Sequence, residues 1–201
     1  MSEGQLGHRE RLIAAMAQSI EQKGYRETTV ADVVRIARTS RRNFYEHFAD
    51  RPACFLALFD ATNEALIAQI SDAVHAEDPW EEQVDQAVGA WVEAMASEPA
   101  LSRSFVRELP ALGEDGAARQ TAVIERFARL LVELVESARR EQPEIDATPL
   151  TMDMAIVIVG GLRELMVIAI QQGRDVRELR ATAGDTVKAI LDARVLSPSR
   201  G

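Results

Sequence analysis

Residues 28–51 read TTVADVVRIARTSRRNFYEHFADR. Thr29 followed by Asp32 is a capping-box pattern, in which hydroxyl and carboxylate each satisfy an amide at the start of a helix. Val30, Val33, Val34 and Ala37 then recur on one helical face. Arg38-Thr39 makes a turn, and Ser40 caps a second short helix over about residues 41–48. Phe44 and Phe48 are one turn apart and share its inward side. Arg41, Arg42 and Asn43 are left in the first turn, on the exposed side. Two short helices, a tight connection and an arginine-bearing start make a helix-turn-helix, whose second helix meets base edges through its first turn. Arginines there oppose the helix dipole, so the arrangement favours an external anionic partner.

Charge outside this stretch sharpens the point. The 201-residue chain carries a formal net charge of −9 and is 47% hydrophobic, enough apolar material for a core. Residues 1–51 hold 9 Lys and Arg against 7 Asp and Glu, whereas residues 52–201 hold 14 against 25. Only the first quarter, at net +2 against −11 for the rest, suits an approach to phosphates. The single cysteine, Cys54, excludes an intramolecular disulfide and a thiol zinc site within one chain, and its apolar neighbours mark it as a packing residue. No His, Glu and Asp group has metal-ligand spacing, and no phosphate loop, nucleophile elbow or Ser/His/Asp set is present. The reading is therefore not an enzyme, with no cofactor and no metal. No leader is visible at the start, and the longest apolar run, Met154 to Leu162, is too short for a bilayer. A cytoplasmic protein without membrane contact is expected.

Working outward, a loose arm over residues 1–7 precedes a helix from His8 that carries Leu12, Ile13, Met16, Ala17 and Ile20, with Gly24 as its cap. Asp50-Arg51-Pro52 opens a fourth helix reaching about His75, with Phe55, Leu56, Phe59, Leu66, Ile67 and Ile70 as its stripe. Asp78 caps a fifth through about Ser97, bearing Trp80, Val84, Val88, Trp91 and Met95. A short helix over 100–109 precedes a loop at 110–116. A seventh helix covers about 117–140. Residues 142–149 form a linker with two prolines. The helix over 150–172 is apolar around much of its circumference, so it is buried on more than one side. Gly160-Gly161 within it costs about 1 kcal/mol per glycine relative to alanine, a cost best explained by close approach of another helix backbone. A final helix runs over about 176–195, ahead of a tail at 197–201 expected to be disordered.

Thr28-Thr29-Val30 followed by Asp32, the apolar second helix, Ser40 as cap, Phe44-Tyr45-x-His47-Phe48 and the basic Arg51 together resemble the tetracycline-repressor (TetR) family of bacterial transcription regulators. The motif-level likeness covers about residues 8–60. One departure is the turn, Ala37-Arg38-Thr39, where the family commonly has Ala-Gly-Val with a left-handed glycine. The resemblance implies an all-α protein of about nine helices. Residues 1–51 would form a three-helix DNA-binding domain, and residues 52–201 a helical effector-binding and dimerisation domain. It also implies a homodimeric repressor on a palindromic double-stranded operator, released by a small apolar or amphipathic effector. Arg41, Arg42 and Asn43 would read bases. Thr29, Ser40, Tyr45, His47 and Arg51 match positions that touch phosphates, and Arg38 adds charge beside them. Trp91, Met95, Phe105, Phe127, Met152 and Met166 are candidates to line an effector cavity. The last two helices would pair with their copies through Ile158, Gly160, Gly161, Leu165, Ala183, Val187 and Ile190. Two other readings stay open: a second domain that takes a protein partner, and a helical enzyme or carrier that has lost DNA binding.

Overall fold

The computed structural model describes residues 7–141 and 149–195, the last three as backbone only. The expected arm and linker, Gly7 and Pro149 aside, and the expected tail lie outside those residues. All regular structure among the described residues is helical, as expected. Nine α-helices follow one another there: α1 (His8–Lys23), α2 (Val30–Ile36), α3 (Arg41–His47), α4 (Arg51–Ala73), α5 (Trp80–Ser97), α6 (Pro99–Glu108), α7 (Gly113–Glu141), α8 (Met152–Gln172) and α9 (Arg180–Val195).

Local chemistry accounts for most of these boundaries. Both halves of the Thr29–Asp32 capping box form at α2. Ser40 Oγ accepts from the Asn43 amide at α3, and Asp50 Oδ1 accepts from the Ala53 amide at α4. Gly173 ends α8 in the left-handed region at φ 71°, where only glycine avoids a Cβ clash. Two expectations need correction. Residues 110–116 are not a loop: Leu109–Leu112 forms a 3-10 turn and α7 starts at Gly113. The tight step is possible because Gly116 lies against the Leu109 carbonyl, where a Cβ would overlap the backbone. Likewise α9 starts at Arg180, with Val176–Leu179 a separate 3-10 turn in which the Arg177 amide donates to the Asp175 carboxylate.

The chain packs as two compact units, residues 1–64 with 98–120 and residues 65–97 with 121–201. This grouping follows packing; α4 and α7 each contribute to both units. In the first, Leu12, Met16 and Ile20 of α1 are fully buried with Val33, Phe44, Phe55 and Leu101. Phe105 of α6 packs on Phe55 and Phe59 at ring distances of 5.4 and 5.1 Å. Cys54 is fully buried too, and burial pushes its thiol up to about 12, so it is an unreactive packing group.

The second unit has separate apolar groups. Leu66, Ile70 and Leu130 gather Trp91, Met95 and Phe127 around them. Ala128, Leu150, Ala155, Ile158 and Val187 form another, with Met152 against it. Ala183 packs with Val88 and Val92 in a third. Helix α4 is long and apolar enough to cross a bilayer, but half of its apolar window is buried in the fold.

Candidate nucleic-acid interface

The interface is built from α2, α3 and the connections that hold them. Arg38, in the turn between the two helices, is left-handed at φ 51°. It therefore takes the glycine-like conformation despite its side chain, at a cost of roughly 1–2 kcal/mol. Thr39 then leads directly to the Ser40 cap. Phe44 is completely buried and Phe48 nearly so. Their burial turns Arg41, Arg42, Tyr45, Glu46 and His47 outward. Tyr45 is 57% exposed, with its ring edge-on to Phe44 at 5.4 Å.

Arg38, Arg41 and Arg42 are all exposed, at the turn and in the first turn of α3. Arg42 Nε reaches Glu46 Oε1 at 3.1 Å. That pair is exposed and of little energetic weight, and it leaves the outer guanidinium nitrogens available. Ser40 accepts from an amide, which leaves its hydroxyl proton for a second partner. Thr29 differs. Its hydroxyl accepts from the Asp32 amide and lies 2.5 Å from Asp32 Oδ2, to which it donates. While the box is intact, the Thr29 side chain has no proton to offer a phosphate. Asp32 also accepts from Lys23 Nζ at 2.7 Å. The lysine first, and then the Thr29 contacts, hold that carboxyl well below the usual carboxylate range.

Two expected contact residues have further work within the fold. Arg51 Nη1 donates to the carbonyls of Tyr25, Arg26 and Thr28 at 3.0, 3.3 and 2.7 Å. Its guanidinium lies 4.3 Å from the Tyr25 ring centroid. It thus ties the α1–α2 connection to the start of α4, and its role toward phosphate is narrowed to the nitrogens left over. Asn43 Nδ2 contacts Thr39 Oγ1 at 2.8 Å and His8 Nδ1 at 3.3 Å. The His8 ring also stacks on that of His47, with centroids 6.4 Å apart. Position in the chain could not reveal this, because the contact joins the first residue of α1 to α3.

The other candidate residues divide. Trp91, Met95 and Phe127 come together, Met152 belongs to a different apolar group, Met166 is buried in α8, and Phe105 lies in the first unit. Ile158, Ala183 and Val187 are at most 5% exposed and belong to the chain's own core. Their side chains leave little surface for a second copy, in contrast to the partly buried members of the expected dimer set. Gly160 and Gly161 have no other part of the structure within 4 Å of a Cβ position. Close packing inside this chain therefore does not explain them.

Residues 12–58 match the family of bacterial regulatory proteins of the tetR type. A search of curated protein sequences finds no significant match. Among solved structures, the fatty acid degradation regulator FadR of Bacillus halodurans aligns with a TM-score of 0.68 at 18% identity, covering 92% of this chain and 95% of that one. FadR of Bacillus subtilis, solved with stearoyl-CoA, gives a TM-score of 0.69 at 15% identity, covering 88% and 95%. A TetR-family regulator from Syntrophomonas wolfei gives 0.71 at 14% identity, covering 92% and 95%. At these identities the likeness is one of fold. The capped helices α2 and α3 give the N-terminal segment a helix-turn-helix arrangement, the type of element with which transcription regulators bind DNA. The match to bacterial regulatory proteins of the tetR type is carried by residues 12–58, the segment that holds α2 and α3.

Proposed function

We propose that the chain is a repressor that binds a palindromic operator as a homodimer and leaves it when an amphipathic effector binds the second unit. The observation that carries the DNA-binding half is that Arg38, Arg41 and Arg42, at the turn and first turn of α3, are all exposed in an otherwise acidic chain. Arginine pairs with guanine O6 and N7 in the major groove, and a good bidentate pair discriminates by about 1–3 kcal/mol. In this reading Arg41, Arg42 and Asn43 meet bases. Arg38, Ser40, Tyr45 and His47 meet phosphates, with the remaining Arg51 nitrogens beside them. Thr29 contributes through the capped end of α2 rather than through its hydroxyl. Two such readers in one dimer fit successive major grooves about 34–36 Å apart.

Gel-shift titration against the DNA upstream of its own reading frame tests this. Arg42→Ala should weaken binding roughly tenfold or more with an unchanged melting curve. Equal affinity of variant and parent would remove Arg42 from the interface. Binding should also fall steeply with salt as counterions are released.

The effector half draws on two supports. Trp91, Met95 and Phe127 are only partly buried around Leu66, Ile70 and Leu130, which offers apolar and aromatic surface to a ligand. FadR of Bacillus subtilis, similar in fold, was solved with stearoyl-CoA. A long-chain acyl thioester is therefore the first probe. It should raise the melting temperature and dissociate the operator complex, since a ligand acts only through unequal affinity for the two states. Stearoyl-CoA that leaves both readouts unchanged would discard this effector class.

A further inference from the structure

We infer that His8 is a specificity-determining residue. It orients the Asn43 amide so that Asn43 offers DNA an acceptor only, selecting adenine or cytosine over guanine or thymine at one position of each half-site. This rests on the proposed reading that α3 enters the major groove.

The argument is one of donors and acceptors. Arg11 Nη2 lies 2.7 Å from His8 Nδ1. A guanidinium has no acceptor, so it can only donate, and His8 Nδ1 must carry the lone pair. The Asn43 atom 3.3 Å from that same nitrogen must then also be a donor. This identifies it as the amide nitrogen and fixes which way the amide is turned. The same nitrogen reaches Thr39 Oγ1 at 2.8 Å. An amide nitrogen has two hydrogens: one meets Thr39 Oγ1, and the other shares the single His8 Nδ1 lone pair with Arg11 in a three-centre contact. The amide atom without a partner in these contacts is Oδ1, which accepts and cannot donate.

An unrestrained asparagine reads adenine with both atoms, Oδ1 accepting from N6 and Nδ2 donating to N7. The restrained Asn43 has only the first half of that pair. The groups that donate into the major groove are adenine N6 and cytosine N4. Guanine and thymine present acceptors at those edges, which face Oδ1 with no hydrogen between. The restraint thus turns an adenine reader into a reader of exocyclic amines. His47, stacked on His8, and Thr39, directly before the α3 cap, complete the frame.

Selection of binding sequences from randomised DNA, followed by titration of single-base variants, tests the inference with the full chain. The parent protein should enrich a position that accepts adenine or cytosine within about threefold and rejects guanine and thymine. Asn43→Ala should erase that preference and leave the rest of the site intact. His8→Leu frees one amide hydrogen and should shift the position toward adenine over cytosine by about tenfold, while His8→Asn, which restores an acceptor, should move it back. A parent that requires adenine alone, or a His8→Leu protein with unchanged preference, would overturn the inference while DNA binding stands. If the parent enriches no sequence, the DNA-binding reading falls and takes this one with it. In the free protein, the Asn43 side-chain amide resonances should move in His8→Leu. Their constancy in a variant with the parent's melting temperature would overturn the restraint regardless of DNA.

Discussion

Arg38 is the residue where chain and fold disagree most. It is left-handed at φ 51° in a turn that a glycine would enter without strain, and its side chain is exposed. Arg38→Gly should therefore raise unfolding free energy by about 0.5–1 kcal/mol, since relief of the strained conformation outweighs the greater freedom glycine has when unfolded. It should also weaken DNA binding through the lost charge. Urea melts and gel-shift titration would read the two effects separately. A destabilised variant would mean that Arg38 makes compensating contacts that outweigh its strain.

At the scale of the element, α2 depends on its cap. Lys23 and Thr29 stabilise the Asp32 carboxylate and hold its carboxyl below the usual range. A carboxyl depressed on folding contributes stability above its unfolded value of about 3.9 and loses it as the pH falls through the folded value. Stability should accordingly drop on the acid side, and Asp32→Asn should be less stable than the parent at pH 7. The difference should close as the medium is acidified well below pH 4. Melting temperatures across pH 2 to 7 would show this; a gap that stayed constant would place the benefit of Asp32 in something other than its charge. The element α1 matters for a different reason. Its first residue, His8, restrains Asn43, and Glu21 accepts from the Leu101 amide at the start of α6, so one helix serves two others.

For the whole molecule, the open question is assembly. Val157 is 69% exposed and Ile168 41% exposed, three turns apart on α8 with the unobstructed Gly161 between them. Gly160, Leu165 and Ile190, from the expected dimer set, are partly buried and can still contribute. A second copy laid along this side of α8 is the assembly the proposed function needs. Light scattering at micromolar concentration should give a dimer for the parent and a monomer for Val157→Glu, with helix content preserved because most of the Val157 side chain is exposed. A dimeric Val157→Glu protein would move the interface elsewhere.

Much of this molecule was legible in its residue order because much of it is local. The Thr29–Asp32 box, the Ser40 cap, the Gly173 stop and the apolar periodicities act within one or two turns, so their partners sit beside them in the chain. The buried pair Phe44 and Phe48, and with it the outward side of α3, followed from spacing alone. Other assignments needed the tertiary structure because the deciding partner is far away in sequence. Ile158, Ala183 and Val187 lie on apolar faces that periodicity cannot assign to one's own core or to a second chain; contact with Ala128, Val88 and Val92 assigns them. Arg51 finds carbonyls more than twenty positions earlier, and Asn43 takes its orientation from His8. Spacing along the chain determined which side chains face outward at the α2–α3 turn. Donors and acceptors brought together by folding decided which of their atoms remain free to meet another molecule.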